Sequence, residues 1–243
     1  MKKLSFLVIF TFFFAQSQAQ WSLDLNAGFA FQGYNEVRIP NETGTTFDLN
    51  KDFDIEGPVV PLSVRLGYTF SEKNHLFLLY APLNINYAGV AANDIQYQNT
   101  LFPEGEFIDA FYKFNSYRLT YRRDLLVNGR WTLGVGFTAK IRDARIRLSS
   151  GELTDKKDDL GFVPLLNVFA SYDFDRWSAF LEGDGLAGGP GRAFDFTLGA
   201  RIPVSENFSM KTAYRILEGG ADVDEVYNFT LINVITTSLV LKF

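Results

Sequence analysis

Hydrophobic and polar residues alternate one by one along much of the chain, most clearly in residues 226–243. The second half of that stretch has mainly small or polar residues on one face, and the opposite face carries Ile235, Thr237, Leu239, Leu241 and Phe243. A period of two residues predicts a β-strand, because successive side chains of a strand point to opposite faces. The stretch contains no Gly or Pro and is much longer than an average strand of about five or six residues. Strands of such length are typical of membrane barrels, whose loops extend beyond the bilayer.

The same alternation recurs along the chain and predicts ten strands in total, of which residues 226–243 form the last. Their approximate bounds are 21–32, 62–70, 77–87, 107–122, 131–148, 160–174, 177–187, 193–203, 208–217 and 226–243. The longest connections, 33–56, 89–105 and 149–159, fall on one side of such a sheet, and the short turns 71–74, 173–176 and 203–207 fall on the other. An even strand number, with both termini beside the short turns, is the arrangement of single-chain bacterial barrels.

Two of these strands are predicted to be irregular. Pro82 lies in the middle of the third strand, where it removes a donor from the hydrogen-bond ladder and predicts a bulge or a lost bond. In the fifth strand the apolar positions change parity after Ile141, and a β-bulge near Arg142 and Asp143 would explain the change.

A long alternating strand that ends the chain on an aromatic residue resembles the last strand of bacterial outer-membrane β-barrels. This resemblance implies an all-β fold, a transmembrane antiparallel up-and-down β-barrel of about ten strands, surrounded by outer-membrane lipid. It also implies that the barrel-assembly machinery recognises the C-terminal strand through Phe243. The alternative is a soluble β-sandwich, although its strands would be shorter and its loops would not separate by side.

The N-terminal residues 1–19 predict a secretory signal peptide that precedes a mature barrel of residues 20–243. Lys2 and Lys3 are followed by an apolar run, residues 4–14, and by a small and polar tail that ends at Ala19. The apolar run is too short to cross a bilayer, which takes about 20 residues. A retained N-terminal anchor is the alternative interpretation.

Composition narrows the function classes further. The chain has no Cys, so disulfides, thiol nucleophiles and thiolate metal sites are excluded. Without the two lysines of the leader, 21 basic side chains face 28 acidic ones, a net charge of −7 that argues against a nucleic-acid partner. The 25 Phe and 11 Tyr suit a lipid-facing surface with aromatic girdles.

Charged residues on the predicted inward faces define a lumen polar cluster. Its members are Lys140, Arg142, Arg145, Arg147, Glu182, Asp184, Asp195, Lys211 and Arg215. A barrel of ten strands is just above the size of about eight strands whose interior side chains can fill, so opposite charges should pair and plug the lumen. The alternative is a polar pocket in which the arginines bind an anionic group, as Arg does for carboxylate and phosphate.

The sequence offers little catalytic chemistry. His75, the single histidine, lies beside the short turn 71–74 and is predicted to be an interfacial turn residue. Glu182 and Asp184 point the same way and could act as an acid–base pair, but this spacing is common inside a polar barrel. The acidic stretch Asp222 to Glu225 lacks most of a calcium-binding loop. We therefore predict no catalytic residue, no metal site and no cofactor.

These observations predict a non-enzymatic outer-membrane protein. Its role would be structural, or it would act as a narrow pore or bind a small polar or anionic solute. Two alternatives remain open: a surface-facing hydrolase that acts on lipid A or peptide, and an adhesin that binds through the loop of residues 33–56.

Overall fold

The computed structural model describes residues 20–243, and the predicted signal peptide lies outside this range. Fifteen strands make up most of the described chain. The first eight are β1 (Gln20–Arg38), β2 (Phe47–Asp48), β3 (Asp54–Ile55), β4 (Leu62–Phe70), β5 (Asn74–Ala81), β6 (Asn84–Val90), β7 (Ile95–Tyr97) and β8 (Thr100–Phe102). The others are β9 (Phe107–Asn128), β10 (Trp131–Ser150), β11 (Leu153–Asp173), β12 (Ser178–Gly188), β13 (Gly191–Pro203), β14 (Phe208–Val223) and β15 (Val226–Lys242). Among residues 20–243, no helix is both long and apolar enough to cross a membrane.

Ten strand positions close into an antiparallel ring, as predicted. The order around the ring is β1, β4, β5, β9, β10, β11, β12, β13, β14 and β15, and β15 pairs with β1 to join the two ends of the chain. β6 continues β5, because both pair with β9 on either side of a break at Pro82 and Leu83. The interruption predicted at Pro82 is therefore confirmed.

Short turns and long connections separate by side. One end of the barrel holds both Gln20 and Phe243, and we call it the periplasmic end. The turns at this end are short and consist of residues 71–73, 129–130, 174–177 and 204–207. At the opposite, outer end, residues 39–61 and 91–106 form the two long connections. The loop predicted at 149–159 is wrong, because β10 and β11 continue as a paired hairpin up to a two-residue turn at Gly151 and Glu152.

The outside of the ring is apolar over a band as tall as a bilayer. At the periplasmic end it begins with an aromatic girdle, in which Trp21 packs on Tyr68 with ring centroids 4.7 Å apart and Trp131 packs on Tyr172 at 4.8 Å. Outward residues of β10 are apolar from Trp131 to Ile141, about the length that a tilted barrel strand needs to cross a membrane. Beyond Ile141 the outward positions become charged, so the outer boundary of the band lies there.

Above this boundary the apolar side of the strands faces inward. Ile146 and Leu148 of β10 are buried, and β10 pairs with β11 without any register shift from Trp131 to Ser150. The β-bulge predicted near Arg142 and Asp143 is therefore wrong: the strand keeps its parity while its surroundings change from lipid to water. Outside the bilayer, apolar side chains are stabilised by burial within the protein.

The inward apolar residues pack against the long connections in one core at the outer end. Its members from the connections include Ile39, Phe47, Leu49, Phe53, Ile95, Tyr97 and Phe102. The Tyr97 hydroxyl donates a hydrogen bond of 2.9 Å to the backbone carbonyl of Ile146, and this bond ties the β7–β8 hairpin to the barrel wall. We call this assembly the loop core; it covers one side of the outer mouth.

The loop core should be sensitive to alkaline pH. Burial raises the pKa of Tyr87 to about 12, and it raises the pKa of Tyr97 and Tyr112 as well. Because the folded core favours the neutral phenols, their contribution to stability is complete below pH ~10 and is lost as the pH rises through about 12. Absorbance titration should show three tyrosines ionising after the others, together with new protease sensitivity in residues 39–61. Ionisation of all tyrosines near pH ~10 would contradict this packing.

Close strand packing predicts a second measurable effect. A Cβ atom added at Gly136 would lie 1.9 Å from the backbone oxygen of Tyr121, whereas one added at Gly183 would meet only the ring of Phe196, at 2.1 Å. A side chain can move and a paired backbone cannot, so we expect Gly136→Ala to cost at least about 3 kcal/mol and Gly183→Ala about 1 kcal/mol. Urea unfolding, followed by heat-modifiable mobility on gels, would compare them. Equal losses would contradict the close approach of β9 and β10.

Candidate functional site

Most of the lumen polar cluster lies where the alternation placed it. Seven of its nine members face the interior: Lys140, Arg142, Glu182, Asp184, Asp195, Lys211 and Arg215. Arg145 and Arg147 do not, because β10 keeps its parity: Arg145 pairs with the outward Asp158, and Arg147 lies over the outward ring of Phe111 at 5.6 Å. Their predicted lumen position is wrong.

Asp184 and Asp195 form the centre of the interior network. Arg118 of β9 donates to Asp184 at 2.8 Å and also to Asp195, and Arg215 donates to both oxygens of Asp195 at 2.7 Å. Thr138 and Asn167 complete the shell of Asp184 at 2.7 and 2.8 Å. Every member of this group is buried or half-buried, so each carboxylate needs the hydrogen bonds that it receives.

A second group crosses the full width of the barrel. Arg65 on β4 donates two hydrogen bonds to Glu182 on β12, of 2.8 and 2.5 Å. These strands are five places apart in the ring of ten and therefore lie opposite each other. Arg122 adds a third bond to Glu182 at 3.3 Å. The guanidinium groups are flanked by rings, since Arg65 lies 3.7 Å from the centroid of Phe77.

Sequence patterns missed Arg65, Arg118 and Arg122 as members of this cluster. Alternation places all three on inward faces, but it cannot tell which distant strand each side chain reaches. Arg118 contacts Asp195 from four places away around the ring.

His75 lies inside the barrel and not at the interface, so its predicted position is wrong. Its Nε2 is 2.9 Å from Asp124 and its Nδ1 is 2.9 Å from the Thr69 hydroxyl. Both ring nitrogens are therefore engaged, and the imidazole joins the periplasmic end of the network as a hydrogen-bonding residue.

The ion pairs close the middle of the lumen. Lys211 also bonds Asp24, and the remaining space among these side chains is a polar cavity of about 120 Å³, enough for a few water molecules. The paired charges thus fill most of the middle of the lumen.

Above the network lies a much larger cavity, which we call the vestibule. Its volume is about 1110 Å³. Its floor includes Lys140, Arg142, Asp184 and Asp195, and its walls include apolar residues such as Phe114, Val163 and Leu217. The loop core bounds one side of this space through Ile39 and Tyr112. Ligand pockets in proteins commonly measure about 300–1,000 Å³, so the vestibule can hold a small molecule.

Lys140 differs from the other charges on the floor. It is 2% exposed, and it forms neither an ion pair nor a hydrogen bond with any residue in the range 20–243. Its ammonium lies over the ring of Phe114, 4.7 Å from the centroid. Arg142, beside it, pairs with Asp159. The floor therefore carries one positive charge more than its bonded pairs neutralise.

The acidic stretch Asp222 to Glu225 is engaged by neighbours. Asn41 donates to Asp222 at 2.7 Å, and Lys157 pairs with Glu225 at 2.7 Å, which lowers the pKa of Glu225. Within residues 20–243, no group of three or more His, Asp or Glu side chains is arranged to hold a metal ion.

Comparison with solved structures identifies the fold of the protein. No family model and no curated protein matches the sequence. Among solved structures, the chain is similar to the outer membrane protease OmpT of Escherichia coli, with a TM-score of 0.56 and 11% identity over 92% of this chain and 97% of that one. The protein thus has the fold of an outer-membrane β-barrel, and the predicted fold class is confirmed.

Two other solved structures match with lower TM-scores. The attachment invasion locus protein Ail of Yersinia pestis, solved with the heparin analogue sucrose octasulfate, gives a TM-score of 0.42 at 10% identity, over 92% of this chain and 99% of that one. Neisserial surface protein A gives 0.38 at 12% identity, over 93% of this chain and 98% of that one. At these identities the similarity concerns the fold alone.

Proposed function

We propose that this outer-membrane barrel is a non-enzymatic protein that binds a small anionic solute in its vestibule, above a closed lumen. The observation that carries the proposal is Lys140, a buried ammonium without a carboxylate partner on the floor of a cavity of about 1110 Å³. A buried charge without a partner costs several kcal/mol, so a site that keeps one is suited to a ligand of opposite charge.

The neighbouring charges support an anion rather than a cation. Arg118 and Arg215 are neutralised by Asp184 and Asp195, and Arg142 is neutralised by Asp159. Lys140 is left over, so an incoming carboxylate or similar group would complete the pairing. Arg142, beside Lys140, has one buried nitrogen, Nε, without a partner and offers a further donor.

The bonding of the carboxylates supports a non-enzymatic role. Glu182 is held by Arg65 and Arg122, and Asp184 accepts bonds from Arg118, Thr138 and Asn167. An acid–base pair has to exchange protons with a substrate, and these oxygens are committed to permanent donors. A hydrolase that uses them would lose its activity in a Glu182→Gln and Asp184→Asn double variant, whereas the proposal expects any hydrolytic activity of the native envelope to be unchanged in a variant that still folds, which heat-modifiable mobility on gels checks.

Calorimetric titration of the detergent-solubilised barrel tests the binding proposal. Benzoate and benzamide have similar size and shape, but only benzoate is anionic. We expect the wild-type barrel to bind benzoate at least tenfold more tightly than benzamide, because the surplus charge at Lys140 favours the anion. Equal binding of the two compounds, or no binding of benzoate, would refute the proposal.

A further inference from the structure

The seam between β11 and β12 is incomplete. β11 pairs with β12 only from Leu166 to Asp173, although β11 itself continues outward to Leu153 and remains paired with β10 along its whole length. β12 ends at Gly188 and pairs on its other side with β13. Residues 153–165 of β11 therefore have no strand partner on one edge.

Part of this gap lies within the apolar band. Leu160 and Phe162 point outward from β11, and Leu160 is 75% exposed. Phe162 lies at the outer boundary, since it pairs with Ile141, the last outward apolar residue of β10, and Leu160 lies just beyond it, opposite Asp143. Residues 162–165 of the unpaired edge therefore lie within the band. Unpaired backbone groups are costly at this depth, because lipid supplies neither donors nor acceptors. An opening here therefore costs free energy that a few more backbone hydrogen bonds between β11 and β12 would remove.

The vestibule extends through the gap. The outward-facing Leu160, Phe162 and Pro164 line the same cavity as the inward-facing Lys140 and Asp195. In an intact wall, residues on the two faces of one strand would not share a cavity. The space inside the barrel is thus continuous with the lipid-facing side between β11 and β12.

The rim of the opening is built from residues that keep it clear. Pro164 lies on the β11 side, and Gly188, at the end of β12, lies on the other. Pro164 has no N–H to pair with a neighbouring strand, and a side chain at Gly188 would meet open space, with its nearest neighbour, Pro190, 4.0 Å away. Above the opening, Lys157 of β11 pairs at 2.7 Å with Glu225 in the turn between β14 and β15.

We propose that this opening is a lateral portal, through which a single-chain amphiphile with an anionic head group passes between the outer leaflet and the vestibule. The chain would occupy the apolar walls and the portal, and the head group would pair with Lys140. This inference rests on the proposed function and specifies its ligand class. A purely water-borne solute would need neither the opening at lipid depth nor the apolar lining between it and the floor.

The absence of Cys from the chain makes a clean cross-linking test possible. A Phe162→Cys and Ala187→Cys variant, joined by a short bismaleimide, would close the portal. The matched control is Ala170→Cys with Leu181→Cys, two residues that face each other across the paired part of the same seam. Both barrels are placed in lipid nanodiscs that contain a photoreactive twelve-carbon carboxylate, and the labelled residues are mapped by mass spectrometry.

We expect vestibule residues to be labelled in the wild-type barrel and in the cross-linked control, and labelling to fall at least tenfold when the portal is closed. The corresponding photoreactive alcohol, which lacks the charge, should not label the floor. Benzoate added from water should still bind after either cross-link. Unchanged vestibule labelling with a closed portal would overturn the portal while leaving anion binding intact. A wild-type barrel that fails to bind benzoate would instead refute the proposed function.

Discussion

Glu182→Ala is expected to destabilise the barrel by about 3–5 kcal/mol. The substitution removes the carboxylate that joins β4 and β9 to β12, so Arg65 stays buried without an ion-pair partner while Arg122 keeps only its pair with Asp124. The cost arises mainly from the uncompensated charge of Arg65, because a buried charge is stabilised in a protein only by a partner. Urea unfolding of the refolded barrel, read by heat-modifiable mobility, measures the change.

A second variant separates charge from cavity formation. Adding Arg65→Met to Glu182→Ala removes the unpaired guanidinium, so the double variant should be more stable than Glu182→Ala alone. Thr197→Ala, a substitution of a lumen residue that has no ion pair, serves as a control for an altered interior and should cost less than about 1.5 kcal/mol. If Glu182→Ala unfolds like the wild-type protein, the network across the lumen is not formed.

Lys140→Met should change stability and binding in opposite directions. Met has a similar length and no charge, so the folded state should gain about 1–3 kcal/mol through removal of an unpaired buried ammonium. Benzoate binding should weaken by about 30-fold or more, as expected when one member of a buried charge pair is lost. Unfolding and calorimetry on the same preparation measure both effects.

Lys156→Met provides the matched control. Lys156 lies on the outer hairpin, where its side chain is 56% exposed and its ion pair with Asp158 is 3.3 Å long. An exposed pair contributes little, so the variant should remain within about 0.5 kcal/mol of the wild-type protein and bind benzoate normally. A loss of stability in Lys140→Met would show that Lys140 is neutralised in the native barrel.

Alternation predicted the membrane-spanning part of the fold well because one physical contrast acts there. Between Trp131 and Ile141 the outside is hydrocarbon and the inside is polar, so each residue type indicates its face. The same contrast gave the number of strands, the side of each turn and the inward position of residues such as Glu182 and Asp195.

The contrast reverses above the membrane, and predictions based on it failed there. Ile146 and Leu148 face the loop core, while Arg145 and Arg147 face water, so an apolar residue no longer indicates an outward position. The apparent change of parity after Ile141, which predicted a bulge, arises because the surroundings of β10 change there from lipid to water. The loop core itself depends on contacts between distant segments, such as Tyr97 with Ile146, which alternation cannot detect.

The candidate site was only partly predictable for a similar reason. Alternation predicted which charges face inward but not their partners, because pairing depends on which strands lie opposite in the closed ring. It therefore could not identify Lys140 as the charge left over. The gap beside Leu166 is a property of strand register, and both of its edges alternate normally.

Planar-bilayer recording of the wild-type barrel tests the closed lumen most directly. The ion pairs from Arg65 to Glu182 and from Arg118 to Asp195 cross the interior, so purified protein inserted in the bilayer should give no sustained conductance steps in salt solution. Steady, ohmic single-channel currents from the wild-type barrel would contradict the account, because they require a continuous water path through that network.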